Sequence, residues 1–142
     1  MEHADYMRQA MRLALQAKGQ TWPNPMVGCV IVKDSAVIAE GFHRRAGEAH
    51  AELDAINKAI APVRGATAYV NLEPCCHLHK RTPPCAQRLI AEGIKTVVIA
   101  NLDPHPAVSG GGMALLREAG IEVITDVLAQ EGELLNEVFF HN

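Results

Sequence analysis

The sequence predicts an α/β fold in which helices cover both faces of a five-stranded mixed sheet. Short apolar segments rich in β-branched residues alternate with amphipathic segments along most of the chain, which is the pattern of strands joined by helical crossovers. The first two strands are separated only by Lys33-Asp34-Ser35, which is enough for a hairpin but too short for a crossover. A hairpin followed by crossover units gives both antiparallel and parallel pairs in one sheet.

The first half of the chain begins with an amphipathic helix and the hairpin. In residues 4–18 apolar side chains recur at helical spacing, and Gly19 follows as a helix stop. Residues 27–32 form a continuous apolar run, which favours a buried strand, and residues 37–42 form the second strand. Residues 50–60 are predicted to form the second helix, with its apolar side chains, including Ile60, on one face.

The second half of the chain alternates strand and helix. In order, the predicted elements are strand 67–72, helix 83–91, strand 94–100, helix 113–119, strand 121–125 and helix 127–140. Gly93 and Gly120 follow two of the helices as stops. In such sheets, functional sites collect where strand carboxyl ends face helix amino ends.

The composition is that of one globular domain with a mostly aliphatic core. The 142 residues are 49% hydrophobic but only 4% aromatic, and the net charge is -3. The absence of a basic run argues against an extended nucleic-acid surface, and no apolar run approaches the ~20 residues of a membrane span. The acidic amino terminus lacks a signal-peptide pattern, and four cysteines, two of them adjacent, do not resemble a disulfide framework. We therefore expect a cytoplasmic protein.

Three zinc-type ligands and one carboxylate occur where the predicted elements meet. His50 and Glu52 lie in the predicted first turn of a helix, Cys75 follows a strand, and Cys85 begins another helix. An H-x-E motif followed by P-C and a second cysteine is the signature of zinc deaminases. Because His50, Cys75 and Cys85 leave a fourth position for water, they indicate a catalytic rather than a structural zinc site.

This ligand set predicts hydrolysis of an exocyclic amine on a heteroaromatic ring. Zinc lowers the pKa of a bound water, and Glu52 would take the water's proton and pass it to a ring nitrogen and then to the departing ammonia. An isolated His-x-Glu is common, so the prediction depends on the conjunction of the three motifs. Cys29 is expected to be a core residue. Three further histidines are expected at the surface, namely His3, His105 and His141.

The chain resembles the deaminase domain of the riboflavin-biosynthesis deaminase/reductases, within the cytidine-deaminase-like superfamily. The matching segments are Pro23-Asn24-Pro25-Met26-Val27-Gly28, Gly41-Phe42-His43, His50-Ala51-Glu52, Leu72-Glu73-Pro74-Cys75-Cys76-His77, Arg81-Thr82-Pro83-Pro84-Cys85 and Asp103-Pro104-His105-Pro106. The resemblance implies a three-layer α/β/α sandwich, zinc as cofactor and a homodimer or homotetramer. It also implies a phosphorylated diaminopyrimidine as substrate, deaminated at its 2-amino group.

By the same resemblance, specific residues acquire roles. Zinc ligands map to His50, Cys75 and Cys85, and the proton shuttle maps to Glu52. The substrate-pocket residues would be Asn24, His43, His77 and Arg81. From the residues themselves, Asn24 can hydrogen-bond a ring, and His43 and Arg81 can meet a phosphate.

Two departures from the family pattern keep alternatives open. The Cys75–Cys85 spacing is one residue longer than is usual, with Leu78-His79-Lys80 in the added loop, which would suit another amine substrate. Residues 1–142 are expected to form a single deaminase domain without the reductase, because no dinucleotide-binding pattern is present. Either a separate reductase is its partner, or the chain has taken up another substrate. The alternatives are a sibling deaminase of a nucleobase, nucleoside or specialised metabolite, and a non-catalytic zinc-stabilised binding domain.

Overall fold

A five-stranded mixed sheet forms the centre of the molecule in the computed structural model. The structure describes residues 2–21, 24–45, 48–75, 85–104 and 109–140, except for the side chains of residues 138 and 139. The strands are β1 (Gly28–Lys33), β2 (Ala36–Phe42), β3 (Thr67–Leu72), β4 (Thr96–Asn101) and β5 (Glu122–Ile124). Their order is β2-β1-β3-β4-β5; β1 is antiparallel to β2 and β3, and β3, β4 and β5 run parallel. The predicted mixed sheet and hairpin are confirmed.

Helices cover both faces of this sheet, as predicted. They are α1 (His3–Leu15), α2 (Ala51–Asn57), α3 (Cys85–Ala91), α4 (Gly111–Glu118), α5 (Ala129–Leu135) and α6 (Glu137–Phe140). Side chains of α2, α3 and α4 share one apolar cluster with one face of the sheet, and those of α1 and α5 share a second cluster with the other face. The three-layer sandwich implied by the resemblance is thereby confirmed.

Three predicted helices end or divide earlier than expected, and the first of them, predicted as residues 4–18, ends at Leu15. The predicted helix 127–140 is divided at Asn136, whose backbone is not helical (φ -116°, ψ 40°) and whose side chain binds the backbone of Met26. The predicted helix 50–60 ends at Asn57, and Ile60 then donates its N–H to the carbonyl of Ile38. The prediction that Ile60 lies on the apolar face is therefore wrong, since its side chain is 85% exposed.

The second helix lies unusually close to the hairpin because of Gly41. A Cβ on Gly41 would overlap the backbone N of Ala55 and approach the carbonyl O of Ala51 at 2.7 Å. The absence of a side chain on β2 thus lets the backbone of α2 rest directly on the strand. This contact fixes the amino end of α2, where His50 and Glu52 lie.

The core is aliphatic, as the composition predicts. Cys29 is fully buried within it, so its expected role as a core residue is confirmed. Among the described residues, no helix is long and apolar enough to cross a membrane.

Candidate active site

The three predicted metal ligands converge at the edge of the sheet where β3 ends. Cys75 lies three residues beyond β3, and Cys85 is the first residue of α3. His50 Nδ1 is 3.3 Å from Cys85 Sγ and 3.7 Å from Cys75 Sγ. His50 is the N-cap of α2 in extended conformation (φ -69°, ψ 163°), which corrects the prediction that it lies in the first turn. The extended backbone directs its imidazole towards the two sulfur atoms.

This donor set fits zinc. A tetrahedral zinc with ordinary Zn–N and Zn–S distances separates a nitrogen from a sulfur ligand by ~3.6 Å, close to the two observed separations. All three ligand atoms lie within 4.8 Å of one another. The backbone N–H of Cys85 donates to Cys75 Sγ at 3.3 Å, and a side-chain hydrogen bond from Cys85, ahead of contributions from His50, lowers the pKa of the Cys75 thiol to about 4. Cys75 is therefore disposed to bind metal as a thiolate.

Glu52 lies beside these ligands without belonging to their group. It is in the first turn of α2, and its side chain is 3% exposed. Burial, followed by the nearby Cys75 sulfur, raises the pKa of Glu52 to about 7. A carboxyl group with such a pKa can both accept and donate a proton near neutrality.

One cavity is lined by two of the candidate ligands and by two of the four predicted substrate residues. Its volume is about 190 Å³, and its walls are formed by Asn24, Pro25, Val27, His43, His50, Glu52, Leu72, Glu73, Cys75 and Asp103. Asn24 and His43 are thus brought next to the metal ligands. His77 and Arg81 lie outside the described residues, as do Cys76, the Leu78-His79-Lys80 loop, His105 and His141.

His43 is held inside the protein by both ring nitrogens. Its Nδ1 is 3.1 Å from the carbonyl O of Ala49, and its Nε2 is 3.3 Å from Asn24 Nδ2. Because a carbonyl only accepts, we assign the proton to Nδ1, which leaves Nε2 to accept a hydrogen bond from the Asn24 amide. The His43 ring also packs edge-on against His50, with centroids 5.3 Å apart. His43 therefore connects Asn24 to the segment that precedes the candidate ligand His50.

Two buried asparagines bind the backbone of the segment that follows Asn24. Neither was predicted from the sequence. Asn136 accepts the N–H of Met26 at 2.7 Å and donates to its carbonyl at 2.8 Å. Asn71 donates to the same carbonyl at 3.0 Å and accepts the N–H of Gly28 at 2.8 Å. A polar residue within the apolar strand β3 was a signal for Asn71, whereas nothing in the local sequence marks Asn136.

An ion cluster fastens α2 to the end of β2. The Asp54 carboxylate accepts the N–H of Phe42 at 3.1 Å and binds Arg44 at 2.9 Å and Lys58 at 3.1 Å. Burial alone would raise the pKa of Asp54, but the hydrogen bonds from Arg44, Phe42 and Lys58 together lower that pKa below its ordinary value. Arg44 also stacks on the Phe42 ring, 4.6 Å from its centroid.

Comparison with known sequences connects this geometry to a family of enzymes. The family described as the cytidine and deoxycytidylate deaminase zinc-binding region matches residues 1–101. The riboflavin biosynthesis protein RibD of Actinobacillus pleuropneumoniae is 52% identical over 141 residues, which are 99% of this chain and 37% of that protein. The diaminohydroxyphosphoribosylamino-pyrimidine deaminase of Buchnera aphidicola subsp. Schizaphis graminum is 45% identical over 140 residues, which are 99% of this chain and 95% of that protein.

Solved structures agree with the sequence matches. RibD of Acinetobacter baumannii, form 1, superimposes with a TM-score of 0.93 at 48% identity, covering 97% of this chain and 38% of that chain. A C-terminal deletion mutant of the Aspergillus oryzae Rib2 deaminase superimposes with a TM-score of 0.79 at 23% identity, which shows a shared fold. The chain thus spans just over a third of RibD, at 37% and 38%, but nearly all of the Buchnera protein, at 95%.

Proposed function

The chain belongs to the cytidine and deoxycytidylate deaminase family and, within it, to the diaminohydroxyphosphoribosylaminopyrimidine deaminases, and on that premise we propose that it hydrolyses the 2-amino group of 2,5-diamino-6-ribosylamino-4(3H)-pyrimidinone 5′-phosphate. The products are 5-amino-6-ribosylaminouracil 5′-phosphate and ammonia, in riboflavin biosynthesis. The observation that carries the proposal is the convergence of His50, Cys75 and Cys85 beside a cavity whose wall includes His50, Cys75 and Glu52.

Different residues of the site bind the metal and transfer protons. His50 Nδ1 and the sulfur atoms of Cys75 and Cys85 would hold a zinc ion. When bound, zinc would supply Lewis-acid activation of the attacking water. A carboxylate oxygen of Glu52 would accept one proton from the attacking water and pass it to the ring nitrogen next to C2 of the pyrimidine. Glu52 would then accept the remaining proton of the hydroxyl added at C2 and pass it to the amino group, so that the C2–N bond breaks, a C2=O bond forms and ammonia leaves.

In this proposal Asn24 binds the pyrimidine ring of the substrate. The Asn24 Nδ2 faces His43, so its Oδ1 can accept a hydrogen bond from an N–H of the substrate. We propose that His43, predicted as a substrate contact, acts together with Asn24 at this wall of the cavity. His77 and Arg81 remain proposed substrate contacts, with Arg81 binding the 5′-phosphate through its guanidinium group.

We further propose that the chain assembles as a homodimer or homotetramer, and that the reduction that follows deamination is carried out by a separate catalytic unit. Light scattering coupled to gel filtration tests the first proposal. A mass of one chain in the zinc-loaded protein would refute it.

The function is tested by measuring ammonia release from the phosphorylated diaminopyrimidine, with zinc content determined on the same sample. The dephosphorylated compound, cytidine, adenosine and guanine serve as alternative substrates. We expect turnover of the phosphorylated compound in protein with about one zinc per chain. Turnover of another amine instead would refute the proposed substrate. Absence of turnover with all of these compounds would refute the proposal that the chain is a deaminase.

Replacement of Glu52 by Gln tests the assigned proton shuttle. We expect turnover to fall by roughly 10²–10⁴-fold while the zinc content stays unchanged, because Gln preserves the shape of the side chain but cannot carry the proton. Glu40→Gln, which alters an exposed carboxylate on β2, is the matched control and should retain wild-type turnover. Equal turnover in Glu52→Gln and Glu40→Gln would remove Glu52 from the mechanism.

A further inference from the structure

Glu73 is a buried carboxylate at the site whose role the proposed mechanism leaves open. It follows β3 directly and precedes the zinc ligand Cys75 by two residues, and its side chain is 6% exposed. None of the ion pairs among the described residues involves Glu73. Its carboxylate oxygens instead accept hydrogen bonds from the backbone. Oε1 accepts the N–H groups of Asp103 and Gly110, and Oε2 accepts that of Met113, each at 3.0 Å.

These bonds supply the N-terminal cap that α4 lacks. The N-cap residue of α4 is Gly110, in left-handed conformation at φ 82°, which has no side chain to cap the helix. Met113 occupies the third helical position, where an N-cap side chain ordinarily accepts the free N–H. Glu73 makes this bond from the end of β3. Its negative charge is favourable at the positive amino end of the helix.

The first turn of α4 also lies directly against the backbone that carries Cys75. A Cβ on Gly112 would overlap the carbonyl O of Pro74 and lie 3.2 Å from Glu73 Cγ. Only glycine permits this approach. The Glu73 carboxylate therefore joins three parts of the chain at one point: the end of β3 that leads to Cys75, the residue Asp103 that follows β4, and the start of α4.

Both Glu73 and Asp103 line the cavity that Glu52, His50 and Cys75 also line. We propose that Glu73 is a positioning residue, which holds Asp103 in the wall of the substrate pocket and fastens the first turn of α4 behind it, without touching the reacting atoms. The proposal rests on the proposed deaminase function for its effect on substrate binding, whereas the hydrogen-bonded arrangement can be tested without any substrate.

The test compares Glu73→Ala and Glu73→Gln with wild type by amide hydrogen exchange. In Glu73→Ala, the amides of Asp103, Gly110 and Met113 should exchange about tenfold faster or more, beyond any change at Val98 in the centre of β4. Glu73→Gln keeps one acceptor oxygen, so Asp103 and Gly110 should stay protected while Met113 loses protection. Exchange that increases equally at Val98 and at all three amides would show a purely structural role and overturn the proposal.

Kinetics supply the second readout. We expect Glu73→Ala to raise KM about tenfold with kcat changed less than about threefold, and Glu73→Gln to raise KM less, at unchanged zinc content. Glu118→Gln, an exposed carboxylate at the last position of α4, is the control and should match wild type in exchange and kinetics. An unchanged KM in Glu73→Ala would overturn the positioning role. Inactivity of the wild type would instead refute the proposed function, and the exchange experiment would still decide whether Glu73 holds α4 and Asp103.

Discussion

The double hydrogen bond between Asn136 and Met26 yields a quantitative prediction for stability. The change is Asn136→Ala, which removes a bond of 2.7 Å to the Met26 N–H and one of 2.8 Å to its carbonyl. Each neutral bond contributes ~1 kcal/mol, and leaving a buried donor without a partner costs ~1–3 kcal/mol. The Met26 carbonyl keeps its bond from Asn71 at 3.0 Å, so only the N–H is left unsatisfied.

We therefore expect Asn136→Ala to lower the free energy of unfolding by about 2–4 kcal/mol, and the midpoint of thermal unfolding by on the order of 10 °C. Urea and thermal unfolding followed by circular dichroism measure both. Leu134→Ala is the control in the same helix, because Leu134 is 70% exposed and its truncation should change stability by less than about 0.5 kcal/mol.

The double variant Asn71→Ala/Asn136→Ala sharpens the test. Both asparagines donate to the Met26 carbonyl, so the first removal leaves one donor in place and the second leaves this partly buried carbonyl with neither. The double variant should lose ~1 kcal/mol more than the sum of the single changes. Strict additivity, or a midpoint for Asn136→Ala equal to that of Leu134→Ala, would refute the reasoning.

Three further predictions concern the metal, the packing and the acid response. Cys75→Ser should weaken zinc binding by more than about 100-fold in competition with a chromogenic chelator, whereas Cys29→Ser, outside the ligand group, should leave the affinity near wild type. Gly41→Ala should cost on the order of 1–3 kcal/mol in urea unfolding, because its Cβ overlaps Ala55; a wild-type midpoint would contradict the close contact of α2 with β2. Asp54 has a folded pKa below its unfolded value, so its stabilising contribution is present above the unfolded value of ~4 and is lost as pH falls through the folded pKa. With EDTA present, wild type should therefore lose more unfolding free energy than Asp54→Asn between pH 7 and pH 3, and equal losses would exclude this contribution.

The general fold and the convergence of the candidate ligands could be predicted from the sequence because their signals are local. His50, Cys75 and Cys85 each begin or end a predicted element, and the elements follow from hydrophobic periodicity, so convergence at one sheet edge could be inferred before any coordinates. The geometry within a single turn could not be predicted in this way. Whether His50 caps α2 or lies inside its first turn depends on one backbone torsion, which the sequence pattern does not determine.

The polar contacts that shape the pocket were beyond prediction for a different reason. Glu73 binds residues 30 to 40 positions away, and Asn136 binds Met26 across 110 positions. Such pairs depend on how the layers pack, and a lone Asn at the end of an amphipathic segment carries no sign of its partner. The division of the predicted helix 127–140 at Asn136 has the same cause, since the hydrophobic pattern alone favours one continuous helix.

The bond between Met26 and Asn136 also has a consequence for the order of folding. Contacts between residues 110 positions apart require closure of a long loop, which costs more chain entropy and forms more slowly than contacts between neighbours. The hairpin of β1 and β2 and the packing of α1 on β1 involve nearer partners and should form first. His50 and Cys85 are 35 positions apart, so the three zinc ligands need a shorter loop to come together than Met26 and Asn136 do, and they can meet before the segment that carries Asn24 gains its anchor. We therefore expect metal binding to become possible earlier in refolding than binding of the substrate.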